Sequence, residues 1–149
     1  MPNWVENTLN VYGDEEYLKN FSEYVSAKGK SVFCFNKIIP MPEDTKPWEK
    51  DGCPGWYRWS VDYWGTKWNC FDPEVVKIKD GLSYSFETAW APPLPIYDKI
   101  ITKYKELNFE IDALETQNFY TAEITASGGQ YTKMIFDNSG LNYQDKFFL

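Results

Sequence analysis

The stretch Trp64-Gly65-Thr66-Lys67-Trp68 sets a hydroxyl and an ammonium between two indoles. Such residues can build a small-molecule site: aromatic walls, with a few polar groups to fix orientation. Ring faces can also stack a base or hold a cation. With Trp90 as a further wall, the candidate pocket is Trp64, Gly65, Thr66, Lys67, Trp68 and Trp90. The same residues have an architectural reading. Gly65 would end an aromatic helix at positive φ and Thr66 would cap the turn, while Trp64 and Trp68 closed the core beneath a proline-rich loop. That reading is favoured, because Trp is usually buried and Pro40-Met41-Pro42 and Ala91-Pro92-Pro93 offer flat rings to pack on.

Other chemistry is thinly represented. The chain has no His, which removes the commonest general base, the Ser-His and Cys-His nucleophile pairs and the commonest transition-metal ligand. Cys34, Cys53 and Cys70 are widely spaced and odd in number, unlike a structural zinc set, and read as free thiols of a reducing compartment. No metal or cofactor is expected. Asp51, Asp62 and Asp72 flank the aromatic region, but no spacing marks a catalytic carboxylate pair. Phosphate-loop, dinucleotide-binding and nucleophile-elbow motifs are missing. Catalysis is the weaker expectation.

Charge points elsewhere. Net charge is -7 with a pI near 4.6, and the basic residues are Lys apart from a single Arg, Arg58. Without a Lys/Arg cluster to neutralise phosphates, nucleic acid is not an expected partner. If helices cover the strand parity of Val5, Leu9, Phe109 and Ile111, the opposite parity carries Glu6, Glu110 and Asp112. Glu87 and Glu123 lie on the polar parities of their own strands. With strands ~4.8 Å apart, these five carboxylates would form one negative field able to steer a basic protein.

The elements that must position these groups follow from periodicity. Residues 4–12 alternate as a half-buried strand. Asp14 caps a helix running through Lys28, with Gly29 as its C′ residue. Residues 31–35 read as a short strand and 56–64 as an aromatic helix ending at Gly65. A strand is expected from Lys67 to Ile78, broken near Asp72-Pro73, then an Asp80-Gly81 turn into a strand over 82–90. A helix from about Pro95 buries Ile96, Tyr97, Ile100, Ile101 and Tyr104. Three closing strands follow, the last two joined at Gly128-Gly129. This order predicts an α+β sandwich: a mostly antiparallel sheet with two main helices on one face. One domain over 1–149 is expected, with an irregular Pro/Trp-rich insertion at about 36–66 and an unassigned tail from about 138. No apolar run approaches the ~20 residues of a membrane span. The N-terminus lacks the charged and apolar regions of a signal peptide, so the cytoplasm is the expected location.

Four stretches carry a family resemblance: MPNWVENTLNVYG at the start, FNKIIPMP at 35–42, YWGTKWN at 63–69 and FETAWAPP at 86–93. They resemble the YubB-like proteins of phages and plasmids, in the family's order and over nearly the whole chain apart from the tail. The resemblance implies a ferredoxin-like domain and a mobile-element origin, and it supplies no catalytic residues. Two functions are therefore expected in order. The first is an accessory binding module that engages a basic host or defence protein through the acidic face and the aromatic loop region. The alternative is a small-ligand or nucleotide site in the Trp64–Trp90 region, with weak enzymatic activity at most.

Overall fold

The structure, a computed structural model, describes residues 3–45, 55–115, 117 and 120–137. β1 (Trp4–Tyr12) is a strand because its apolar residues alternate: Val5, Leu9 and Val11 are fully buried, with Asn7 on the same side. Gly13 and Asp14 turn the chain into α1 (Glu15–Val25), whose acidic first turn complements the helix dipole. Leu18, Phe21 and Val25 form its buried stripe. The short α2 (Phe35–Ile38) and α3 (Gly55–Tyr63) precede β2 (Phe71–Ile78) and β3 (Gly81–Ala89). α4 (Leu94–Lys103) then buries Ile96, Tyr97, Ile100 and Ile101, the stripe its spacing predicts. β4 (Asn108–Glu115), β5 (Tyr120–Ser127) and β6 (Gln130–Asp137) complete the order.

All neighbouring strands pair antiparallel in a six-stranded sheet of order β2-β3-β1-β4-β5-β6. β1, α1, β2, β3, α4 and β4 make a βαββαβ unit with β1 and β3 inside, which is the ferredoxin-like arrangement; the β5–β6 hairpin extends it past β4. One core cluster joins Leu9, Tyr84, Phe86, Phe109 and Ile111 of the sheet to buried residues of α1, α2 and α4. Each such ring or branched chain withdrawn from water contributes roughly 1.5–3 kcal/mol. Across this layer a buried polar bridge ties α4 to the sheet. The Tyr97 hydroxyl donates to Asn7 Oδ1 at 2.7 Å, and Asn7 Nδ2 donates to Thr88 Oγ1 at 3.0 Å.

Several boundaries differ from expectation. α1 stops at Val25 rather than Lys28, because Ser26 is extended, and Gly29 uses its φ of +79° in the following turn. Residues 31–35 are not a strand. Ser31 makes one isolated bridge to Ala27, and Phe35 already begins α2. The alternation there serves packing: Phe33 stacks on Phe86 at 4.9 Å, and Phe33 and Phe35 are both fully buried. Its main chain finds other partners. The Phe35 N–H donates to Asn69 Oδ1, and the Phe33 carbonyl accepts from Cys70 Sγ. β2 begins at Phe71, not Lys67, and breaks register between Phe71 and Glu74, where Asp72 takes φ +49°.

Candidate functional site

The 64–68 stretch is held from below by Ser60. The Ser60 carbonyl accepts from the N–H groups of Trp64 and Gly65 at 2.8 and 3.1 Å. Its fully buried hydroxyl donates to the Lys67 carbonyl at 2.7 Å. Gly65 has φ +83°, and a Cβ there would lie 2.6 Å from Pro95 Cδ, so only glycine fits. Trp64 is buried, packs edge-on against Phe35 and Trp59, and donates from Nε1 to the Ile39 carbonyl at 2.8 Å. Thr66 is also buried. It does not cap the turn, but donates to the Ala89 carbonyl at 2.6 Å, fastening the stretch to the end of β3. Trp64, Gly65 and Thr66 are thus scaffold.

Lys67, Trp68 and Trp90 are differently placed. Lys67 Nζ sits 4.4 Å from the Trp68 ring centroid and 5.0 Å from that of Tyr57, a cation held over two π faces. Trp68 meets Trp4 at 6.3 Å and Phe71 at 5.9 Å, and Trp4 meets Phe71 edge-on at 4.7 Å. This trio of rings joins the start of β1 to the start of β2. Trp90 is 53% exposed and has φ +72°, which costs an aromatic residue about 1–3 kcal/mol. It borders a cleft of about 270 Å³ together with Tyr57, Val61 and Lys67.

The strand registers settle which face each carboxylate occupies. Glu6 lies opposite Glu87, Glu110 opposite Asn10, Asp112 opposite Thr8 and Glu123 opposite Asp112. All five share the face away from Leu9, Tyr84 and Ile111. To these five the pairings add Glu74, opposite Ser85, and Asp137, opposite Thr121, making seven. Among the described strand residues that face carries one cation, Lys133, paired with Glu123 at 3.0 Å. The Tyr12 hydroxyl donates to Glu110 at 3.3 Å. Burial first, and then the neighbouring Glu123 and Glu110, raise the Asp112 carboxyl above its ordinary range, with Lys133 opposing. Exposed Phe71, Val76, Leu114 and Ile135 lie between the acids. The parity of the five acids was legible in the sequence. The additions were not, because β2 and β6 could not be registered against their neighbours.

Other candidates fall away from these two places. Asp62 and Asp72 are exposed, and Asp51 and Cys53 lie outside the described residues. Cys34 and Cys70 are free thiols. Burial, with Cys34 nearby, pushes the Cys70 thiol up to about 12, the reverse of a reactive cysteine. Among the described residues no group of three His, Cys, Asp or Glu side chains could hold a metal. No helix among them is long and apolar enough to cross a membrane. No sequence motif marks a further concavity of about 750 Å³ between the start of α1 and the β2–β3 turn, where Lys19 and Lys77 stand beside Asp14, Glu15 and Asp80.

Sheet order, helix order and register define a ferredoxin-like α+β protein with an extra terminal hairpin. Residues 63–146, just over half of the chain, match the family model described as the ferredoxin-like domain in Api92-like protein, and the chain belongs to that family. A crystal structure of the protein Api92 from Yersinia pseudotuberculosis is similar with a TM-score of 0.63 and 8% identity, over 91% of this chain and 98% of that one. At that identity the likeness carries the fold alone. A search of curated proteins found no match.

Proposed function

We propose that the protein is a binding module, not an enzyme, that engages a basic surface of another protein through its open sheet face. The observation that carries this reading is the charge imbalance of that face: among its described strand residues, seven carboxylates against Lys133. Like charges directly opposite on neighbouring strands, as at Glu6 and Glu87, destabilise a sheet. A cationic partner would relieve that repulsion, and the field would raise its rate of encounter. The exposed apolar residues between the acids give the partner surface to bury. The Trp4, Trp68 and Phe71 rings at one margin suit the stems of Lys and Arg.

The resemblance to YubB-like proteins supports a phage or plasmid origin, which would make the partner a host or defence protein met in the cytoplasm. On the same reading residues 1–149 are one domain, two helices cover one face of the sheet, and residues 36–66 are an insertion that brings the aromatic corner to the edge of the other.

The test is fluorescence anisotropy with a labelled Lys/Arg-rich 12-residue peptide, at low and at physiological salt. Reversal of Glu110 and Asp112 to Lys should weaken binding about tenfold or more. Reversal of Glu16 and Glu106, which are exposed and off this face, changes net charge equally and should cost no more than about twofold. Equal loss in both variants would mean that net charge alone attracts the peptide, and would sink the proposal.

A further inference from the structure

Trp90 carries two costs that the fold does not require. Its backbone lies at φ +72°, where glycine or asparagine sits with little strain and a bulky aromatic residue does not. The residue is 53% exposed, so its ring is not enclosed by the core that would ordinarily justify such a backbone. The turn is fastened by main-chain and Thr88 bonds that do not involve the indole. The Trp90 N–H donates to the Asn3 carbonyl at 2.8 Å and the Ala91 N–H to the Ala89 carbonyl at 2.9 Å, while Thr88 Oγ1 donates to the Ala91 carbonyl at 2.8 Å. The ring is therefore held out beside the cleft and not packed.

The cleft supplies what a ring alone lacks. Val61, Gly65, Thr66, Ala89 and Ala91 line it with Trp90, and Lys67 stands among them. Lys67 forms no ion pair with any described residue; the rings of Tyr57 and Trp68 hold its ammonium in place. A cation lodged against two rings, with no described carboxylate paired to it, beside a half-exposed Trp, matches a ligand with one flat ring system and one negative group. A volume of about 270 Å³ admits a molecule of that size and little more.

We propose that this cleft binds a small planar aromatic anion, with its ring stacked on Trp90 and its phosphate or carboxylate paired with Lys67. The proposal does not depend on the acidic sheet face, and its test leaves that face untouched. Calorimetric titration with adenosine 5′-monophosphate and with indole-3-acetate samples the phosphate and carboxylate sources. Adenosine and inorganic phosphate are the ring-only and anion-only controls. At least one anion should bind about tenfold or more tightly than either control. Binding of the nucleotide alone assigns a phosphate ester, and binding of indole-3-acetate alone a carboxylate. Lys67→Gln should remove the preference for the anion over its neutral ring.

Trp90→Asn distinguishes a held ring from a packed one. It should abolish binding while leaving the melting temperature unchanged or higher, because asparagine accepts the left-handed backbone. No binding of either anion would overturn the proposal, as would unchanged binding by the Asn variant. A melting temperature lowered by several degrees in that variant would make Trp90 a packing residue and overturn it equally.

Discussion

Asp112→Asn should make the protein more stable while weakening its hold on a cationic partner. Asp112 stands directly across from Glu123, with Glu110 two residues along its own strand. The sign follows from its raised folded-state value. A carboxyl that is harder to ionise when folded stabilises the fold while protonated, and that contribution is lost as pH rises through the folded value. At neutral pH the ionised group is therefore a liability that asparagine removes. A like-charged cross-strand pair costs roughly 0.2–1 kcal/mol. Partial burial of the carboxyl, ahead of the repulsion from Glu123 and Glu110, sets the liability; because the residue is exposed and Lys133 already pairs with Glu123, about 0.5 kcal/mol is the reasonable gain. For a chain of this length that is a rise of about 1–2 °C in melting temperature. Scanning calorimetry at pH 7 should show the rise, and acidification through the raised value and then below the ordinary 3.8 should erase it. Salt near 1 M should shrink it as well, since the screening length there is about 3 Å. A lower melting temperature at pH 7, or a gain independent of pH, would refute the electrostatic account of this face.

Two further substitutions probe the scaffold. Tyr97→Phe leaves Asn7 Oδ1 buried without its 2.7 Å donor, and should cost about 1–3 kcal/mol by denaturant unfolding with an unchanged m-value. Gly65→Ala places a Cβ against Pro95 at φ +83°; a loss of about 2 kcal/mol is expected, read as a fall in melting temperature, and a neutral result would contradict the close approach.

Much of the fold was legible because strand alternation reports burial directly. β1 and β4 read correctly, β3 did so up to Ala89 (Trp90, expected in the strand, turns out of it at φ +72°), the α4 stripe was found, and the Gly128-Gly129 turn stands where it was expected. Alternation also fixed which carboxylates share a parity, since period 2 allows a strand residue only two faces. It could not place Val32 to Phe35, where rings alternate without a ladder because Asn69 and Cys70 take the backbone groups from far along the chain. Nor could it separate the scaffold residues Trp64 and Thr66 from Lys67 and Trp90, which stand among the same types within the same motifs.

Fold class, the lack of any His and the acidity of one strand parity were open to reading from residue type and local period alone. The tertiary structure decided the rest. Register across six strands set Glu6 against Glu87 and Asp112 against Glu123. Packing against Ile39 and Ala89 buried Trp64 and Thr66, and a turn fastened to Asn3 left Trp90 strained and exposed. Apart from the Asp112–Glu123 pair, which spans one hairpin, each of these rests on partners tens of residues away, and no local pattern encodes a partner that distant.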